Sequence, residues 1–258
     1  LPVLPLVLSL AFAAQIGQTG VIAPGIRPRT ERRDRHSMLT LYSFPTPNGR
    51  KASILLEELG LPYRVHRVDL AAGENKRPDF LAVSPITKIP ALVEELPGGR
   101  VRRLFGSGAI LLHYAERTGR LLPEDEDERA EAMSWFMLGI SDLGPTAIDM
   151  QRFAARSPDR IPHAIDLYKG ELMRCYAALE ERLGKAEHLA GPSYSIADIA
   201  CFPFIAAAAV AGGGLLERFP NLKRWHDAIA TRPAVQRGMA IPDMTASDMT
   251  ASDTAASG

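Results

Sequence analysis

Ser84-Pro85-Ile86-Thr87-Lys88-Ile89-Pro90-Ala91-Leu92-Val93 runs from a polar turn through a proline into a short apolar strand. Pro90 has no N–H, so it is excluded from the middle of a central strand but allowed at a strand's first residue. X–Pro bonds are also the ones that lose most of the preference for trans. If Ile89–Pro90 is cis, the N–H and C=O of Ile89 cannot pair in the sheet. They then face outward, where they suit main-chain recognition of another extended chain such as a peptide. If it is trans, the stretch is a plain loop-to-strand junction. The other chemistry-bearing side chains are scattered. Cys175 and Cys201 fit neither CxxC nor metal spacing, and the six histidines contain no i,i+4 pair. No metal site and no disulfide framework are expected, and a reducing, cytoplasmic compartment fits.

The elements that would position this stretch come from the whole chain of 258 residues, enough for two ordinary domains with a real core. Lys plus Arg equals Asp plus Glu, giving a formal net charge of zero. That balance argues against a nucleic-acid partner, whose affinity rests on phosphate neutralisation. Residues 1–37 stand apart: an apolar run from Leu1 to Ala14, then the charged, aperiodic Arg27 to Arg35. The run is too short to cross a bilayer and lacks a preceding basic residue. We read 1–37 as a disordered or over-long start before a working protein that begins near Met38, an export signal being the alternative.

From Leu39 the periodicity alternates. Leu39 to Phe44 repeats every two residues, Pro45-Thr46-Pro47-Asn48-Gly49 is turn chemistry, and Arg50 to Leu59 reads as a helix stopped by Gly60. Tyr63, Val65 and Val68 mark a second strand, parallel to the first by the right-handed crossover rule. A short helix over Arg77 to Val83, a hairpin around Pro97-Gly98-Gly99, and a helix Gly108 to Arg117 capped by Ser107 complete residues 38–120. The order β-α-β-α-β-β-α, with proline opening the third strand, is the thioredoxin-like arrangement. Beyond Pro123 the strands vanish, and 124–240 reads as an all-helical domain broken or kinked at Gly144-Pro145. Ile165, Tyr168, Leu172, Cys175, Leu179 and Leu183 form one stripe of a long helix. Ser195-Ile196-Ala197-Asp198 is a short-acid capping box worth about 1 kcal/mol at its Ser. The helix it opens, Ile196 to Ala211, is apolar all round and expected inside the bundle, with a kink at Pro203. A last helix runs from Phe219-Pro220 through Ile229, and the tail 241–258, with Met-Thr-Ala-Ser-Asp repeated, is expected to be disordered.

An α/β thioredoxin-like domain followed by an all-α domain resembles a cytosolic glutathione transferase. The resemblance covers Leu39 to Pro242 and rests on Thr46-Pro47-Asn48-Gly49, Ser84-Pro85 through Lys88-Ile89-Pro90, Ser107-Gly108-Ala109-Ile110, and Ser195 through Ala200. The Thr-Pro-Asn-Gly turn is most similar to the nu-class, disulfide-reducing branch, in which no enzyme cysteine takes part. The resemblance implies glutathione as co-substrate, with a small electrophile or a disulfide as its partner, and a homodimer with C2 symmetry.

It also implies roles. A thiol of pKa about 8.5 is only a few per cent thiolate at neutral pH, and hydrogen bonds donated to the anion lower that pKa. Thr46 and Asn48 would supply those bonds, assisted by the helix dipole, or would merely cap the helix. Ile89, ahead of Pro90, would pair main chain to main chain with the cysteinyl unit. Ser107 would hold the γ-glutamyl carboxylate. Asn75 and Arg77 fall near the glycyl end or form solvated surface. Tyr42 and Ser43 are weaker candidates that fit core or edge positions equally.

Two positions depart from the family pattern. Gly106 stands where the family has Glu or Gln to accept the γ-glutamyl ammonium, and Leu167 stands where nu-class sequences carry Arg. A lost charged hydrogen bond costs roughly 1.5–3 kcal/mol. The two departures favour the competing reading, a non-catalytic transferase-fold interaction module with weakened glutathione binding.

Overall fold

A computed structural model of the chain describes residues 38–158, 161–211, 214–243 and 249–250. The readings of 1–37 and of most of 241–258 fall outside these residues. The first domain is β1 (Met38–Ser43), α1 (Pro47–Leu59), β2 (Tyr63–Arg67), α2 (Pro78–Leu81), β3 (Ala91–Leu96), β4 (Arg100–Phe105) and α3 (Ser107–Thr118). The sheet order is β4-β3-β1-β2-β5, with β1 and β2 parallel and the other pairs antiparallel. β5 (Met249–Thr250) corrects the expectation of a structureless tail at those two residues, since it pairs with Arg64 and Val65 of β2. Its Met-Thr pair is too short to show a period.

Two helix starts also differ from the sequence reading. α1 begins at Pro47, not Arg50, because Thr46 takes the N-cap and Pro47 has the φ and the missing N–H that suit a first turn. α3 begins at Ser107 itself. Gly106, at φ 84°, occupies the cap position, so Ser107 is a first-turn residue and not the cap.

The helical domain comprises α4 (Glu126–Met137), α5 (Gly144–Gln151), α6 (Pro162–Leu183), α7 (Ile196–Val210), α8 (Leu215–Arg218), α9 (Pro220–Ala230) and α10 (Pro233–Ala240). A π-helical stretch over Leu138–Leu143 joins α4 to α5, a wider turn that accommodates the missing N–H of Pro145 without breaking the rod. α9 is not the last helix. Arg232 is extended, as the residue before a proline prefers, and Pro233 restarts the chain as α10. On α6 the expected stripe is buried at Leu172, Leu179 and Leu183, Tyr176 takes the buried place expected of Cys175, and Ile165 and Tyr168 are only half-buried, while Leu167 is 53% exposed. The capping box of α7 is formed, and Asp198 also accepts from the Leu189 N–H at 3.0 Å and Trp225 Nε1 at 2.8 Å. The expectation that all of α7 is inside holds only for its first ten residues. From Ala206 onward it emerges, and Val210 is 87% exposed.

α1 is the shared wall of both domains. Its Ile54, Leu55 and Leu56 are fully buried, and Ser53 Oγ donates to the Gly238 carbonyl of α10 at 2.6 Å. Lys51 is buried too, donating from Nζ to the Gly139 carbonyl at 3.2 Å and lying 4.7 Å over the Phe204 ring. Burial lowers its pKa from 10.5 to about 8. A depressed lysine pKa means that between pH 8 and 10.5 the unfolded chain alone keeps the proton, so stability rises across that window. Lys51→Met is expected to raise stability at pH 7 by about 1–3 kcal/mol and to flatten that rise. Urea denaturation at pH 7, 8.5 and 10 checks both.

Candidate functional site

Strand register brings the three key stretches to one end of the sheet. Tyr42 of β1 lies opposite Ala91 of β3, and Ala91 lies opposite Phe105 of β4. Whatever follows Ser43, precedes Ala91 and follows Phe105 therefore shares that end: the Thr46 turn, Ile89–Pro90, and Gly106–Ser107. The Ile89–Pro90 peptide is cis. The Pro90 carbonyl accepts the Gly106 N–H at 3.0 Å, tying the third-strand entry to the start of α3. Ile89 is half-buried, and its N–H and C=O make no hydrogen bond to any described residue.

The loop presenting Ile89 is braced from behind. Ser84, fully buried, donates from Oγ to the Lys88 carbonyl at 2.8 Å, and the Thr87 N–H reaches the Ser84 carbonyl at 3.0 Å. Asn75 donates from Nδ2 to the Thr87 carbonyl at 2.8 Å. Thr87 itself sits at φ 57°, a region β-branched residues avoid, so these bonds hold it against its own preference. Nothing in the local pattern of the sequence signalled that conformation. Asn75 thus has its amide N–H committed to the loop. Arg77 is largely exposed and pairs with Glu74 at 3.3 Å.

The turn after β1 is equally constrained. Thr46 Oγ1 accepts the Gly49 N–H at 3.2 Å, which leaves the hydroxyl proton to donate elsewhere. The Thr46 N–H bonds the Phe44 carbonyl at 2.6 Å. Gly49, legible in the sequence only as turn punctuation, is required by contact: a Cβ there would lie 2.1 Å from the Phe44 carbonyl oxygen and 2.6 Å from Ser43 Oγ. Asn48 is half-buried and its amide makes no hydrogen bond to a described residue. Across the site, Ser107 is buried, and its N–H is among the amides an α-helix's first turn leaves without an intrahelical acceptor. A Cβ at Gly106 would meet nothing within 4 Å. Tyr42 packs on His66, with ring centroids 4.8 Å apart, and Ser43 is fully buried. Leu167 neighbours Tyr168, which stacks on Phe153 at 5.6 Å.

Neither cysteine is poised as a nucleophile. Burial, with Asp142 and Glu171 nearby, pushes the Cys175 thiol up, and burial pushes Cys201 to about 12. Among the described residues no three His, Cys, Asp or Glu side chains gather as a metal site, and no helix is long and apolar enough to cross a membrane.

A thioredoxin-like domain with a cis-proline third strand, followed by a helical domain, defines the class, and comparison with known proteins supplies the family. The glutathione S-transferase N-terminal domain family matches residues 37–116, and the C-terminal domain family matches 162–228. The chain belongs to the glutathione S-transferase family. It is 43% identical over 204 residues to the disulfide-bond oxidoreductase YfcG of Escherichia coli, covering 78% of this chain and 94% of that protein. It is 32% identical over 218 residues to the disulfide-bond oxidoreductase YghU of the same organism, covering 79% and 74%. Among solved structures, a glutathione transferase from Burkholderia graminis with two glutathione molecules per subunit matches at TM-score 0.75 and 39% identity, covering 80% of this chain and 89% of that one. A glutathione transferase from Pseudomonas putida holding one glutathione disulfide per subunit matches at 0.71 and 35%, covering 80% and 92%.

Proposed function

We propose that this protein is a glutathione-dependent thiol–disulfide oxidoreductase with accompanying transferase activity, in which the thiolate of glutathione is the nucleophile. The observation that carries the reading is the convergence on one sheet end of Thr46, Asn48, the unpaired main chain of Ile89 and buried Ser107. Glutathione lies along the edge that Ile89 and Pro90 present, with main-chain hydrogen bonds to its cysteinyl unit. Its γ-glutamyl carboxylate takes the Ser107 hydroxyl and the free amides of the first turn of α3. Asn75 acts chiefly by holding the loop, and Arg77 lies at the glycyl end, where its charge complements a carboxylate.

The chemistry then needs little from the protein. Thr46 donates its hydroxyl proton to the bound sulfur, and Asn48 donates from its amide, both at the positive end of α1. The thiolate attacks one sulfur of a disulfide, a new S–S bond forms as the old one breaks, and the departing thiolate takes a proton from water. With an activated electrophile the same thiolate forms a thioether. High thiol pKa values at Cys175 and Cys201 support a sulfur supplied by the co-substrate. The names of the 43% and 32% identical relatives support disulfide reduction as the main reaction. A homodimer with the site near its interface completes the proposal.

Isothermal titration with reduced and oxidised glutathione, followed by assays with a small disulfide and with an aromatic electrophile, tests it. Saturable binding with faster disulfide reduction than conjugation is expected. No binding up to millimolar concentration would leave the non-catalytic reading that Gly106 and Leu167 favour.

A further inference from the structure

Of the two non-glycine residues described at positive φ, Thr87 and Leu121, only Thr87 is β-branched. A β-branched residue there is strained, and such strain persists only where the surroundings over-determine it. Three bonds surround Thr87. Its N–H donates to the Ser84 carbonyl at 3.0 Å, Asn75 Nδ2 donates to the Thr87 carbonyl at 2.8 Å, and Ser84 Oγ donates to the Lys88 carbonyl at 2.8 Å. Both side-chain donors stand on fixed ground. Ser84 is fully buried, and its own N–H bonds the Phe80 carbonyl of α2 at 2.8 Å. Asn75 lies in a short 3-10 turn, Glu74–Lys76. Within that turn the Glu74 carboxylate accepts the Asp69 N–H at 2.7 Å, and the Glu74 N–H returns to the Asp69 carbonyl at 3.0 Å.

Each carbonyl so held belongs to a planar peptide unit. Asn75 fixes the unit Thr87–Lys88, and Ser84 fixes the next one, Lys88–Ile89. That second unit is trans, so the Ile89 N–H points opposite to the Lys88 carbonyl. With the carbonyl turned onto buried Ser84, the N–H is aimed away from the interior. We propose that Asn75 and Ser84 are positioning residues that set the direction of the Ile89 N–H through two successive peptide units, and that the Asn75 bond is required because position 87 is Thr. Asn75 then works without touching the co-substrate. Asn at position 87, whose short polar side chain supports positive φ, would hold the same shape unaided. The geometric claim stands on the hydrogen bonds alone, whereas its consequence for glutathione rests on the proposed reaction.

Calorimetry with reduced glutathione, steady-state rates and amide exchange at Thr87, all on the full chain, test it. Asn75→Ala is expected to raise Kd and KM for glutathione about tenfold and to speed exchange of the Thr87 amide by about the same factor. Its kcat at saturating glutathione should stay within about twofold, because the lost contact is made equally in the ground and transition states. Adding Thr87→Asn is expected to return Kd and exchange to within about threefold of the parent chain, the two positions being coupled. Ser84→Ala is expected to raise Kd about tenfold as well. Thr87→Asn should not repair that loss, because the unit Ser84 holds lies beyond position 87. Should Ser84→Ala fail to fold, the Asn75 series decides alone. Unchanged Kd and exchange in Asn75→Ala would overturn the proposal. So would a double variant no better than Asn75→Ala, which would mean that Asn75 touches the tripeptide itself. If the parent chain binds no glutathione, the enzymatic reading fails, while the exchange rates still decide whether Asn75 holds Thr87.

Discussion

Thr46→Val combined with Asn48→Ala is expected to lower kcat/KM for disulfide reduction by roughly a hundredfold and to raise the pH at which the rate is half-maximal by about 1–2 units. On the proposed mechanism each substitution removes one hydrogen bond to a charged sulfur, worth roughly 1.5–3 kcal/mol, and the two share one partner, so their effects add incompletely. The pH shift follows because the free thiol is protonated at neutral pH and only the anion attacks. Thr46 has a second job that must be separated from the first. Its Oγ1 caps α1 through the Gly49 N–H, and losing that cap costs about 1 kcal/mol of stability. Asn48 carries no such burden, since its amide bonds no described residue. Asn48→Ala alone should therefore slow the reaction about tenfold with an unchanged melting temperature. Thr46→Ser should restore both cap and rate. A melting shift in Asn48→Ala without a rate change would mean that the turn is structural only, and the thiolate account would fail.

Gly106→Glu is expected to act in the opposite direction, tightening glutathione binding about ten- to a hundredfold. The new carboxylate would accept from the γ-glutamyl ammonium, a bond Gly106 cannot supply, and a Cβ at the position meets nothing within 4 Å. The same substitution should destabilise the fold by about 1–3 kcal/mol, because φ 84° with ψ 131° is a conformation nearly reserved for glycine. Affinity and stability thus move apart, which a generally improved or damaged protein would not show. An analogue with glutaryl in place of the γ-glutamyl unit has no ammonium and should gain nothing. If it gains as much as glutathione, the carboxylate is acting elsewhere and the placement of the γ-glutamyl end beside Ser107 is wrong.

Much of this architecture is written locally. The period-two run at Leu39–Phe44, the glycine stops at Gly60 and Gly119 and the stripe on α6 are short-range physics, and β1, the ends of α1 and α3, and the long α6 lie where those signals put them. Where the reading missed by a turn, the competing signal was also local: Thr46-Pro47 starts a helix as well as it makes a turn, and Arg232-Pro233 restarts one as well as it ends one. The exposed end of α7 is a different kind of miss. Periodicity reports what a helix can bury, but which part finds a neighbour depends on where α9 and α10 stop.

The residue types by themselves determined that this chain carries a thioredoxin-like unit with proline at its third strand, a helical partner domain, and no CxxC motif. Only the tertiary structure decided which of those residues meet. Registers among β1, β3 and β4 carry Thr46, Ile89 and Ser107, well separated in the chain, to one edge. A bond from Gly106 to Pro90 joins two stretches that no local pattern links, and burial against Phe204 makes Lys51 a different acid from any lysine on the surface. The physical reason is one of range: propensity and capping act over a turn or two of chain, whereas desolvation and strand pairing depend on neighbours that folding alone supplies.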